Sequence, residues 1–443
     1  MESHVVFGWN PMWVSVAVLL ATYAVIVSER CNRSVVALIG GGLMIVLGVF
    51  DQEEAIRGID FNTIALLTGM MLLVSVSRRS GMFEYLAIWS AKRGRAQPWA
   101  MVAILSVTTA VVSAFLDNVT TVLLIAPVTL AVTRELDVPP YPFLFSEIFA
   151  SNIGGTATLI GDPPNIIIGS AAGLSFNDFV IGLTPVILIV LATQTLAIHL
   201  IWGRKMHATA EARARVMALD ERKMIVDAKL LRYALVVITC VVASFIAARA
   251  LHLEAGTIAL LGGAVLMLLH NLEHHAEKEK QHAKVTETYS DVDWITIFFF
   301  VGLFMVVHGV DVSGLLKLAA DSLTRATGGE LATTGYAILW ASAFLSAIVD
   351  NIPFVATMIP VIKAMAPSFG GEQGLLPLWW ALSLGACLGG NGTLIGASAN
   401  LTVAGIAERN GIPFSFLTYT KYAFGLMVLS VAICHVYLWL RFV

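Results

Sequence analysis

The chain has 443 residues, of which 58% are hydrophobic and only 13% charged, and its mean hydropathy is +0.82. Soluble domains carry about 25% charged residues, so the composition excludes a soluble globular protein and implies an all-α polytopic membrane protein. A net charge of −3 with no basic tract gives no ground for a nucleic-acid partner, and four scattered cysteines without CxxC spacing argue against disulfides and a structural zinc site.

The opening stretch MESHVVFGWNPMW has neither a basic n-region nor a small-residue cleavage site, so Met12–Ser28 reads as a retained first span and not as a signal peptide. Apolar runs of span length then follow at about 11–28, 34–50, 62–77, 141–169, 179–202, 231–249, 255–271, 292–308, 377–406 and 417–441. The runs 141–169 and 377–406 are interrupted by glycine- and proline-rich centres. Two further stretches, 98–133 and 334–366, are too long for one helix and carry polar centres. Each reads as a pair of short helices that enters the membrane, turns at an Asp-Asn, and leaves on the same side. Backbone that turns at such depth is tolerated only against protein or a watery cavity. The segment 203–230 reads as a helical surface linker. The His-rich HNLEHHAEKEKQH (270–282) reads as a solvated mixed-charge loop, with a metal-sensing loop as the alternative.

Ten spans, two re-entrant helical hairpins and an outside N-terminus place 21 Lys and Arg on one face and 6 on the other. The positive-inside rule makes the rich face cytoplasmic, with both termini outside an inner (plasma) membrane and 203–230 as the cytoplasmic linker.

The chain also repeats itself. SAFLDNVTTVLLIAPV (113–128) and SAIVDNIPFVATMIPV (346–361) are identical at 7 of 16 positions, including the Asp-Asn pair. At the same offset of 233, IDFNTIALLTGMMLLVSVSRRSGMFEYLA (59–87) matches VDWITIFFFVGLFMVVHGVDVSGLLKLAA (292–320). Downstream, at an offset of 235, GGTATLIGDPPN (154–165) matches GGNGTLIGASAN (389–400). Apolar helices match by chance in Leu and Val, not in aligned Asp-Asn, Gly-Gly and Asn. Each half holds five spans, an odd number, so the second half is expected upside down: two inverted five-helix repeats, 1–202 and 231–443. Inverted repeats with broken helices are the architecture of many secondary transporters. The hairpin tips then meet from opposite faces.

A charge at the bilayer centre costs roughly 2.5–3.5 kcal/mol on the lenient insertion scale. Two half-sites building one central site explain why the sequence accepts that cost twice. The expected site comprises Asp117, Asn118, Thr120 and Thr121 of the first tip and Asp350 and Asn351 of the second. The first break adds Gly155, Thr156, Thr158 and Asn165; the second adds Gly390, Asn391, Thr393 and Asn400. Broken helices expose unpaired N–H and C=O groups, and such a lining suits a small polyhydroxyl solute or a partly dehydrated Na⁺. The bland alternative is interhelical hydrogen bonding and tight glycine packing. Asp117, Asp162 and Asp350 sit where the charged form of a carboxyl is disfavoured, so they are the candidates for proton coupling. Asp162 has no mate, since Ala397 stands in its place; it either couples or caps the following half-helix. Glu147 is a weaker candidate, His308 and Lys363 read as interface residues, and Cys387 reads as a packing residue near the site.

At these motifs the chain resembles the arsenite-pump and Na⁺/H⁺-antiporter (ArsB/NhaD-type) branch of the ion transporter superfamily, which includes the melanosomal P protein. The resemblance runs through SAFLDNVTTVLLIAPV, NIGGTATLIGDPPNIII and SAIVDNIPFVATMIPV and covers essentially the whole chain. It implies arsenical resistance by efflux of arsenite or antimonite as the neutral trihydroxide in exchange for protons, with or without a soluble arsenite-stimulated ATPase, and it leaves a homodimer open. Related dicarboxylate carriers read Ser-Asn-Thr at the tips, where this chain has Asp, which disfavours an anionic substrate. The rivals are a Na⁺/H⁺ antiporter on the same scaffold and a gated anion channel, the latter opposed by the lack of a basic ring at midplane. No catalytic triad, P-loop or metal-ligand cluster is visible, so no enzyme activity, cofactor or metal is expected.

Overall fold

The computed structural model describes Val5 and residues 8–28, 30–272 and 278–442. All secondary structure among these residues is helical. In chain order the helices are α1 (Pro11–Val27), α2 (Arg33–Val46), α3 (Gln52–Gly58), α4 (Phe61–Arg78) and α5 (Met82–Arg93). A hairpin follows, α6 (Pro98–Phe115) and α7 (Asn118–Glu135), then a broken helix, α8 (Tyr141–Thr156) and α9 (Pro163–Ala172), and then α10 (Phe176–Ile201). The linker is only partly helical, with α11 (Ala210–Met217) between two short 3₁₀ turns. Beyond it run α12 (Ala228–Leu251), α13 (Ala255–Leu272), α14 (Lys278–Ser290), α15 (Trp294–Val312) and α16 (Leu315–Ala326). A second hairpin, α17 (Leu331–Ile348) and α18 (Asn351–Ala364), precedes a second broken helix, α19 (Leu376–Gly389) and α20 (Ser398–Arg409), and α21 (Phe416–Phe442) closes the chain.

Among the described residues, eight helices are long and apolar enough to cross a membrane: α4, α6, α10, α12, α13, α15, α17 and α21. The set includes the first arm of each hairpin, 18 residues long, about 27 Å at 1.5 Å per residue. Those arms are longer than the short helices expected from the sequence. The expected spans near 11–28 and 34–50 are shorter helices of 17 and 14 residues, and the broken helices fail on length because each is split. The His-rich stretch lies partly outside the described residues, which omit 273–277.

Local chemistry sets the boundaries. Asp60, Asp117 and Asp293 each cap the helix that follows by accepting from the backbone N–H three residues on, and Asp350 caps α18 through Ile352 N–H at 3.3 Å. Such a cap satisfies one of the donors a helix start leaves unpaired. Pro163 and Pro164 occupy the first turn of α9, where a missing N–H costs nothing.

Two helix pairs form the frame, α4 against α13 and α15 against α2. Both pairs touch backbone to backbone: a Cβ on Gly69 would lie 2.3 Å from the Ala259 carbonyl carbon, and one on Gly302 would lie 2.3 Å from that of Ala37. Each hairpin's first arm packs on the broken helix of its own half, α6 on α8 and α17 on α19. The broken helices form the core. Every residue from Pro142 to Thr156 and from Leu378 to Gly389 is buried, whereas only 22% of the span window in α12 is buried, as befits a helix that faces lipid.

Candidate functional site

The two hairpin tips and the two helix breaks meet around one cavity of about 310 Å³. Its wall holds Asp117, Asn118 and Thr120 from the first tip, Asn351 from the second, Asp162 from the first break and Ser398 from the second. Asp117 accepts from the Thr120 N–H at 2.8 Å and from its hydroxyl. Asp162 is 1% exposed. It receives one long bond from Asn351 Nδ2 at 3.5 Å, and its Oδ2 has no hydrogen-bond partner.

Asp350 stands one side chain behind the wall and is held by a residue that motif reading missed. Arg33 Nη1 donates to Asp350 Oδ2 at 2.9 Å and to Ser398 Oγ at 2.9 Å, and Arg33 Nη2 donates to Thr296 Oγ1 at 3.1 Å. Its guanidinium also lies over the Phe299 ring at 5.1 Å. In the sequence Arg33 counts only as one more basic residue at a span boundary; its signal is that α2 starts with it and is too short to carry it clear of the tip.

Behind the wall the breaks are stitched by amide side chains. Asn118 Nδ2 donates to Asn152 Oδ1, and Asn152 Nδ2 donates to both Asn391 Oδ1 and Asn400 Oδ1, each at 2.9 Å. Asn400 Nδ2 donates to the Gly390 and Thr393 carbonyls, and Asn165 Nδ2 to those of Thr156 and Thr158. Asn165 Oδ1 accepts from Ser383 Oγ at 2.6 Å and from the Cys387 thiol at 3.6 Å. Asn152 was not among the expected residues; a polar side chain two residues before a Gly-Gly break is the signal for it.

The hydroxyls of Thr156, Thr158 and Thr393 are used on backbone carbonyls, the last two pinning the breaks to the hairpin arms at Ala114 and Ala347. Thr121 is buried with its hydroxyl unpartnered. Gly155 and Gly390 allow the chain to fold back on itself: a Cβ there would lie 2.5 Å from the Gly161 oxygen and 2.8 Å from the Gly396 oxygen. Glu147 is buried against the Thr129 hydroxyl, away from the cavity wall.

The electrostatics are lopsided. Arg78, Asp291 and Asp293 also line the cavity. Asp291 is engaged by Ser75 at 2.7 Å, Arg79 at 3.1 Å and Arg78 at 3.8 Å. Burial pushes its carboxyl up, but the Ser75 hydroxyl and the Arg79 and Arg78 guanidiniums prevail and hold it below the usual carboxylate range. Arg33 is committed to Asp350. Among the described residues no ion pair reaches Asp117, Asp162 or Asp293, so the cavity carries a surplus of carboxylates.

A buried helical frame around a polar, doubly tipped cavity defines a multi-pass membrane transporter. The family profile described as "Citrate transporter" (CitMHS) matches residues 23–385, and the chain belongs to that family, within the ion transporter superfamily. It is 43% identical over 433 residues to the "Uncharacterized transporter Rv2684" of Mycobacterium tuberculosis, covering 97% of this chain and 98% of the relative. It is 32% identical over 508 residues to the human "P protein", covering 96% of this chain but 59% of that longer protein. Among solved structures, the crystal structure of the Alcanivorax borkumensis YdaH transporter matches with a TM-score of 0.62 at 13% identity, over 98% of this chain and 99% of the other. At that identity the likeness is one of fold.

Proposed function

We propose that the chain is a secondary-active carrier in which the transported species and a proton share the cavity between the two Asp-Asn tips. The observation behind this is the meeting of both tips and both breaks on one cavity in which Arg33 and Arg78 are paired with Asp350 and Asp291, while Asp117, Asp162 and Asp293 make no ion pair among the described residues. Repeats 1–202 and 231–443, joined by 203–230 and inverted with respect to each other, would supply alternating access, with the basic face cytoplasmic and both termini outside an inner membrane. Among solutes the acid surplus favours a cation, so Na⁺/H⁺ exchange is the reading the geometry supports best. Asp117 and Asp162 would exchange proton for ion, and Asn118 and Asn351 would supply neutral oxygen ligands.

Export of arsenite or antimonite as the neutral trihydroxide is the second reading. The neutral Asn, Thr and Ser lining favours it, and so does the branch that the motifs resemble. The lone thiol of Cys387 does not add to it, because it is buried and off the cavity wall. A free citrate trianion has the wrong sign for this wall, and would enter only with a cation that offsets its charge.

Everted vesicles separate these readings. Na⁺-dependent collapse of an imposed ΔpH, abolished by Asp117→Asn, supports the first. Proton-driven arsenite or antimonite uptake supports the second, and uptake of citrate only with an added divalent cation would replace both. Unchanged transport in both Asp117→Asn and Asp350→Asn would remove the site.

A further inference from the structure

A second cavity of about 300 Å³ lies at the other end of the α4–α15 pair. The cavity between the tips draws on the C-terminal half of α4 and on the start of α15, through Asp293 and Thr296. The second draws on the C-terminal half of α15 and on Asp60, the cap of α4. Its wall also carries His308, Asp311 and Lys363, which the transport reading leaves unused.

The two walls correspond at several positions. At the repeat offset of 233, Val74 of the first corresponds to Val307 of the second, Arg78 to Asp311, Leu123 to Ala356 and Asp293 to Asp60. Two unrelated packing gaps would not select matching residues on matching helices. The second cavity also differs from the first in what reaches it: α18 contributes Ala356, Ile359, Pro360 and Lys363, but neither Asp350 nor Asn351. The first reaches its tip, and the second stops short of its own. Gly58 packs tightly on His308 in its wall, since a Cβ there would lie 2.6 Å from the His308 ring.

We infer that this second cavity is the vestibule by which the solute reaches the opposite membrane face, open at its mouth where Asp311 and Lys363 are exposed but not joined to the tips in this structure, and that Asp60, His308, Asp311 and Lys363 line that route. The inference rests on the carrier reading above. In the alternate state α18 moves as α7 stands here, the Gly58–His308 contact opens, and the vestibule joins the tips. The bland alternative is that His308 and Lys363 merely fill a helix interface.

The test is cysteine accessibility in the full-length protein, in sealed right-side-out and everted vesicles, with exposed Cys31 and Cys240 replaced by serine. Val74→Cys and Leu123→Cys report on the first cavity, Val307→Cys and Ala356→Cys on the second, each probed with a membrane-impermeant maleimide. The expected result is labelling of the two pairs from opposite faces. An imposed ΔpH should shift their rates in opposite directions, by at least about threefold. Labelling of Val74→Cys and Leu123→Cys that responds to ΔpH, with Val307→Cys and Ala356→Cys inert from either face, overturns the vestibule while leaving the carrier intact. Rates at all four positions that ignore every imposed gradient overturn the carrier and the vestibule with it. Two pairs at chemically conservative positions keep the outcome readable if one variant does not fold.

Discussion

Replacing Arg33 with glutamine strips Asp350 of its ionic partner, and the structure sets the size of the effect. The two groups lie 2.9 Å apart with side chains 27% and 19% exposed. Breaking a fully buried pair costs about 3–5 kcal/mol, while exposed pairs are worth about 0–1 kcal/mol; partial solvent screening puts this one near 2 kcal/mol. Asp350→Asn keeps the cap on α18, because asparagine caps as well as aspartate, so that variant removes charge alone. Arg33→Gln should therefore destabilise by about 2 kcal/mol, and Arg33→Gln with Asp350→Asn by less than the sum, with a coupling of about 1–2 kcal/mol. The assay is SDS titration in mixed micelles followed by far-UV circular dichroism, on all four members of the cycle. A coupling below about 0.5 kcal/mol would refute the claim that Arg33 neutralises the second tip.

Three further outcomes are expected. Asp162→Asn should fold and insert yet lose proton-coupled flux, whereas Ala397→Asp, its counterpart in the other half, should not rescue it; vesicle flux with size-exclusion behaviour as the control checks both. Asn152→Ala cuts the chain from Asn118 to Asn391 and Asn400, and by leaving buried amides unpaired should destabilise by about 1–3 kcal/mol, read by the same SDS titration. Asp291 titrates below the usual carboxylate range because Ser75, Arg79 and Arg78 outweigh its burial. Its stabilising contribution is thus present above the unfolded value near pH 3.9 and is lost as pH falls through the lower folded value. The gap in melting temperature between wild type and Asp291→Asn should hold from pH 7 to about pH 4 and close only below that.

Much of the architecture could be read from the chain because its costliest residues are its most informative ones. Asp117 and Asp350 cap helices inside apolar stretches, and no packing need explains a carboxylate there. The breaks were legible for a similar reason, since IGDPPN cannot continue a helix through consecutive prolines. Length was harder: hydropathy counts apolar residues and is blind to a turn, so α6 and α17 score as spans although each returns through a hairpin. Arg33, Asn152 and Asp293 were missed as site residues because their roles depend on residues distant in the chain. Asp293 sits 176 residues from Asp117 in the chain, and no local pattern brings them to one wall.

The bond between Arg33 and Asp350 has no twin, and that asymmetry bears on direction. A carrier assembled from two like halves would rest equally often open to either side, so any preference must come from positions where the halves disagree. Close to the tips and breaks these include a guanidinium at one tip only, a carboxyl at 162 against a methyl at 397, and an amide at 152 against a thiol at 387. Because about 1.4 kcal/mol shifts such a balance tenfold, under the carrier reading proposed above a single unmatched side chain would be enough to bias the resting orientation.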